Sequence, residues 1–143
     1  MATRSLIGKQ SADGTIRAIY CHWDGYPSGV GATLLEAYTD GDKLDHLLNL
    51  GDISSLGSEI GEQHDFDQRR SFPESWTTAY KRDRGEPDVD ARLHATVADF
   101  LQSAWQGYGC DYAYLWTVEG WRYSGYRTNE LRPLTEKHIE SGD

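Results

Sequence analysis

Cysteine is scarce in this chain. Cys21 and Cys110 are the two in 143 residues, too few for a disulfide framework, and in a reducing cytosol both are expected as free thiols. They cannot supply a four-ligand zinc site by themselves, and no C-x-x-C or H-x-x-x-H spacing completes one. Long apolar runs are missing too. Nothing approaches the roughly 20 consecutive apolar residues of a membrane helix, and "MATRSLIGKQ" has no signal-like apolar block. A soluble, intracellular protein is expected. Positive charge is short: 14 Lys and Arg face 23 Asp and Glu, for a net charge of −9.

That deficit is regional. Residues 36–67 hold Glu36, Asp40, Asp42, Asp45, Asp52, Glu59, Glu62, Asp65 and Asp67 against a single base, Lys43. Such a block repels nucleic acid, so no direct nucleic-acid binding is expected. It reads either as a solvated face that aids solubility or as a patch that docks on a basic partner. In the second reading Glu36, Asp40, Asp42, Asp45, Asp52, Glu59 and Glu62 are the interface.

The pattern predicts an α+β fold in one domain, 1–143, with an antiparallel sheet made by a hairpin near each end. Residues 4–23 read as the first hairpin, turning at Asp13-Gly14. That turn places Leu6, Ile19, Cys21 and Trp23 on one face, and Ile7, Ile16, Ala18, Tyr20 and His22 on the other. A short helix is expected from about Val30, with Val30, Leu34, Leu35 and Tyr38 at helical spacing. A second follows Asp40, burying Leu44, Leu47 and Leu48 and stopping at Gly51. "DISSLGSEIGEQHDFDQRR" and "SFPESW" read as loop, and "TTAYKRDRGEP" supports no assignment. The longest helix is expected over 88–106, entered at Pro87, with the stripe Val89, Leu93, Val97, Phe100, Leu101 and Ala104. The last hairpin, "DYAYLWTVEGWRYSGY", turns at Glu119-Gly120. It puts Tyr114, Trp116, Val118, Trp121 and Tyr123 on one face.

Several groups invite chemistry. Cys21, His22 and Asp24 crowd four positions, but neighbours on a strand point to opposite sides. A Cys21 nucleophile, for a hydrolase or transferase, would need a base from elsewhere, such as His64 or His94. "GYPSGVGAT" could aim backbone N–H groups at an anion through Gly29, Gly31 and Thr33. It lacks the lysine of a phosphate loop and does not match G-x-G-x-x-G. A nucleotide-type ligand would then be enclosed by His22, Asp24, Tyr26, that turn, Arg82 or Arg84, and Trp116 and Trp121. The bland alternatives are a tight turn, a solvated basic loop and aromatics packed in the core. The oxygen-rich "EIGEQHDFD" lacks calcium-loop spacing. No metal and no cofactor is expected.

"MATRS", "IYCHWDGYP", "LLEAYTD", "LGDISSLGSEIG" and "RDRGE", in order over roughly residues 1–86, resemble a widespread family of small proteins. Bacteriophages, prophages and other mobile elements encode it. The resemblance assigns no catalytic residue. It implies a bacterial host cytoplasm and a role as antagonist of host defence, including CRISPR and nucleotide-signal immunity. The expectation is therefore a non-catalytic counter-defence inhibitor that docks its acidic face on a basic, nucleic-acid-binding effector. A nucleotide-sequestering protein is the alternative, and a homodimer is compatible with either.

Overall fold

A computed structural model describes residues 2–68, 72–125 and 127–141. The parts of the expected loop at 69–71 and of the last hairpin at 126 lie outside the described residues. The α+β expectation holds, with one open sheet in the order β4-β3-β2-β1-β6-β7-β8. The sheet is mixed rather than antiparallel throughout. β1 (Ser5–Gln10) and β2 (Ile16–Cys21) form the first hairpin. On its other side β1 pairs in parallel with β6 (Tyr112–Thr117), itself in a hairpin with β7 (Gly120–Gly125). β2 pairs in parallel with β3 (Ile53–Ser55). β4 (Thr78–Ala79) and β8 (Arg132–Pro133) are the two-residue edges.

The first hairpin differs from its expected register by one residue. Ser11 and Thr15 close the turn, with the Ser11 N–H donating to Thr15 O at 2.8 Å, so the loop is Ala12, Asp13 and Gly14. Asp13 accepts from both the N–H and the hydroxyl of Thr15, an Asx-type contact that favours the longer loop. One residue of slip flips every side chain. Leu6 therefore shares a face with Ile16 and Ala18, and Ile7 with Ile19 and Cys21. The second hairpin slips by two, with Thr117 opposite Gly120, and an even slip keeps the faces. Tyr114, Trp116, Trp121 and Tyr123 share one side as expected, while Val118 sits at the tip, 99% exposed.

Helices cover both faces. Pro27–Gly31 forms a widened helical turn that leads into α1 (Ala32–Ala37), and α2 (Gly41–Asn49) follows Asp40 as expected, with Asp40 accepting from the Asp42 N–H as its N-cap. With Val30, Leu34, Tyr38, Leu44, Leu47 and Leu48 they bury the face of Ile7, Ile19, Tyr114 and Tyr123. The expected helix over 88–106 is helical only from Val97, where an α-helix runs on into a widened helical turn, Ser103–Gly107. Asp88 takes a positive φ, β5 (Arg92–His94) pairs antiparallel with β2, and α4 (Val97–Gln102) begins at Thr96, whose hydroxyl accepts from the Asp99 N–H. Burial of Phe100, Leu101 and Ala104 against Leu6, Ala113 and Leu115 matches the lower half of the expected stripe. Leu93, in the upper half, is 74% exposed. Tertiary pairing overrides helical spacing here: β5 satisfies part of the outer edge of β2, which β3 leaves open. α3 (Tyr80–Arg84) and α5 (Glu136–Ser141) complete the chain.

Between β3 and β5 the edge of β2 is closed by a side chain. Asp52 is buried, and its Oδ1 accepts from the Tyr20 N–H at 2.9 Å while Arg92 Nη1 donates to both carboxylate oxygens at 3.2 Å. Burial pushes the Asp52 carboxyl up, against the opposing pull of the Tyr20 N–H and Arg92. Among the described residues no helix is long and apolar enough to cross a membrane.

Candidate functional site

β2 and β3 run parallel, and a cleft of about 860 Å³ opens beyond their carboxyl ends. This is the place where open sheets commonly receive ligands. Trp23, Asp24, Ser54, Ser55 and Thr78 come from the sheet strands or their ends, and Phe66, Asp67, Phe72, Glu74 and Trp76 from the segment between β3 and β4. The described lining thus offers four aromatic rings, three carboxylates and three hydroxyls, and no Lys, Arg or His.

The far wall is held by a seam between residues 57–61 and 75–77. Glu59 N–H donates to Ser75 O and Thr77 N–H to Glu59 O, both at 2.9 Å. The Tyr38 hydroxyl donates to Gly57 O at 2.7 Å, and the Gly57 N–H donates to Thr77 Oγ1 at 3.0 Å. Two glycines make that approach possible. A Cβ at Gly57 would lie 2.1 Å from Ser75 O, and one at Gly61, where φ is +74°, would lie 2.5 Å from Trp76 Cγ. Trp76 reaches the cleft because Gly61 leaves room behind it.

Behind the wall sits a buried ionic network. The Asp83 side chain is 0% exposed and Arg82 donates to it from Nε and Nη2 at 3.0 and 3.1 Å. Asp83 also accepts from the backbone N–H groups of Ala79 and His64. The Arg82 fork continues to the carbonyls of Ile60 and Thr77, so one guanidinium ties both strands of the seam to α3. His64 has its Nδ1 2.7 Å from Glu62 O. A carbonyl only accepts, so Nδ1 carries the proton. Its Nε2 meets Thr78 Oγ1 at 3.0 Å, and Phe72 lies on the ring at a centroid distance of 3.7 Å. His64 thus fixes one aromatic and one hydroxyl of the cleft.

The residues singled out from sequence fall elsewhere, with two exceptions. Asp24 and Asp67 line the cleft. Cys21 is fully buried, its S–H donating to Trp23 O, and burial pushes its thiol up to about 12. Burial raises the Cys110 thiol as well. A nucleophilic thiolate needs exposure and a lowered pKa, and Cys21 has neither. We expect iodoacetamide at pH 8 to leave both thiols unmodified in the native protein and to label both in urea; rapid native labelling followed by intact mass would contradict this. His22 turns away from Cys21 toward the Tyr20 hydroxyl, 2.8 Å from Nδ1.

The glycine turn spends its own donors. Gly25 N–H goes to Thr3 O, Gly29 N–H to Tyr26 O and Val30 N–H to Asp24 O. The Thr33 hydroxyl donates to Gly29 O and that of Tyr114 to Gly25 O, while Gly31 packs against the Tyr114 ring. Tyr26 bonds to Asp24. Trp121 is buried with its indole N–H on Tyr38 O, and Trp116 meets it edge to face. Arg82 belongs to the buried network. Arg84 pairs with Glu86 and lies over the rings of Phe66 and Tyr80. The structure therefore does not bring the nucleotide-binding set together.

The acidic block divides. Asp40 caps α2, Asp45 pairs with Lys9 at 2.9 Å, Asp52 is buried against Arg92, and Glu59 accepts from the Ser75 hydroxyl. Glu36, Asp42, Glu62, Asp65 and Asp67 remain exposed. The cleft residues that sequence reasoning missed are Trp23, Ser54, Ser55, Phe66, Phe72, Glu74, Trp76 and Thr78. The signal for them was the pair Gly57 and Gly61, four apart in a stretch without period, which marks a close approach of backbone. Comparison with family models, with curated proteins and with solved structures finds no match for this chain.

Proposed function

We propose that this is a non-catalytic binding protein that docks its negative side on a basic surface of a partner. The resemblance of its N-terminal segments to phage and mobile-element proteins makes a host defence effector, for example CRISPR machinery in the bacterial cytoplasm, the partner of this reading. The observation that carries it is the cleft. Asp24, Asp67 and Glu74 face one volume with no cation among the described lining residues, and Glu36, Asp42 and Glu62 are exposed as well. Carboxylates spaced in this way attract a basic surface over a Debye length and repel phosphate. Four rings supply the contact area that long-range charge alone does not give.

The test uses purified RNA-guided effectors and the variant Glu36→Lys, Asp42→Lys, Glu62→Lys, Asp67→Lys. These positions make few internal contacts, so the variant keeps the wild-type circular dichroism. The reading expects at least one effector to bind, to lose affinity at least tenfold between 50 and 300 mM salt, and to release the charge-reversed protein. Undiminished binding by the variant, or no binding by any effector, would overturn it.

A further inference from the structure

We propose that the cleft receives an arginine side chain of the partner, a deepening that rests on the docking reading above. An unselective acidic surface would take lysine and arginine alike. This cleft joins carboxylates to flat aromatic faces, and a guanidinium uses both: its planar fork binds carboxylate oxygens in pairs while its face stacks on a ring. An ammonium is a compact, strongly hydrated charge and gains less from the rings. Trp gives the strongest attraction for a cation over its face, and two of the four lining rings, Trp23 and Trp76, are indoles.

The molecule already holds one guanidinium in this way at the margin of the cleft. Arg84 Cζ lies 4.5 Å from the centroid of Phe66 and 5.0 Å from that of Tyr80, with Nη2 donating to Glu86 Oε2 at 2.6 Å. Phe66 is also a lining residue, so the ring that carries an internal arginine borders the volume offered to an external one. The wall is pre-formed by the Arg82–Asp83 network and the His64 contacts, which lowers the ordering cost of binding. Ser54, Ser55 and Thr78 give hydroxyl oxygens for guanidinium N–H groups that the carboxylates leave unpaired.

Two hexapeptides of equal charge, one with three arginines alternating with glycine and one with three lysines, test the assignment by titration calorimetry. The arginine peptide should bind about tenfold more tightly, the factor expected of a partly desolvated cation–π contact. Asp67→Asn, at an exposed position, should remove most of that preference without changing the unfolding midpoint, and Trp23→Ala should remove it too while lowering the midpoint modestly, since the indole is 38% exposed and packs on His22. Equal, salt-sensitive affinity for both peptides would overturn the arginine pocket and leave the docking reading standing. A preference for arginine that survives both substitutions would overturn it too, by placing the site elsewhere. No binding of either peptide would remove both.

Discussion

Replacing Asp83 with alanine destabilises the protein by about 3 to 5 kcal/mol, the cost of breaking a buried ion pair from one side. The carboxylate is wholly out of solvent and serves four donors: Arg82 Nε and Nη2, and the N–H groups of Ala79 and His64. Without it the Arg82 guanidinium is left charged among carbonyls, and two backbone donors lose their acceptor. The damage is local first. Arg82 spans from Ile60 to Thr77, so the seam behind Phe72 and Trp76 loosens before the sheet does. Urea unfolding should show the drop in midpoint, and the variant should lose affinity for the arginine peptide at temperatures where it is still folded. A change below 1 kcal/mol would mean that the pair is not the fastening described here. Asp83→Asn tells charge from geometry. It retains an acceptor for Ala79 but cannot balance Arg82, and should lie between wild type and alanine.

Phe100→Ala is expected to cost a similar amount, about 3 to 5 kcal/mol, by another route. Phe100 is fully buried between α4 and the sheet, edge-on to His94. Its ring lies 3.1 Å from where a Cβ on Gly8 would be, so β1 gives up a side chain to let the ring reach the strand. Truncation leaves a void bounded by Gly8, Ile16 and Leu115 that the backbone cannot close without breaking sheet pairing. This void is on the face opposite Tyr114 and Trp121. The two substitutions therefore separate fold from site. Both lower the urea midpoint, but Phe100→Ala should leave the arginine affinity within a factor of two when measured well below its melting temperature. Coupled loss of stability and affinity in Phe100→Ala would show that the cleft depends on the far layer.

Much of the fold was legible because it follows local rules. Asp40 before an apolar period announced α2, and Asp13-Gly14 announced a hairpin. What local rules leave open is how many residues a turn contains. Asp13 bonding to Thr15 rather than closing a two-residue loop reversed the faces of β1 against β2, whereas the two-residue shift at Val118-Glu119 was harmless. At 88–106 the spacing of Val89, Leu93 and Val97 imitates a helix, although Thr96 followed by Asp99 is the better start signal. The strand at Arg92–His94 exists because β2 has an unpaired edge, a fact that is not local. The site was the least legible part. Its wall residues, Phe66, Phe72 and Trp76, belong to a stretch with no period, and they are gathered by an arginine that looked like part of a solvated run. The charge block is visible in the sequence as composition but not as geometry, since Asp45, Asp52 and Glu59 each have a partner within the fold.

The parallel pairing of Ser5–Lys9 with Tyr112–Trp116 has a consequence for how the molecule comes into being. The earlier of these two strands waits for one made more than a hundred residues later before the middle of the sheet can close. Loop closure over that span precedes any reward from the contacts, so folding should be slow for this size. Until then the emerging chain can pair β4, β3, β2, β5 and β1 but leaves the other edge of β1 bare, and a chain stopped before Tyr112 should be captured by chaperones or degraded rather than persist as a smaller stable fold.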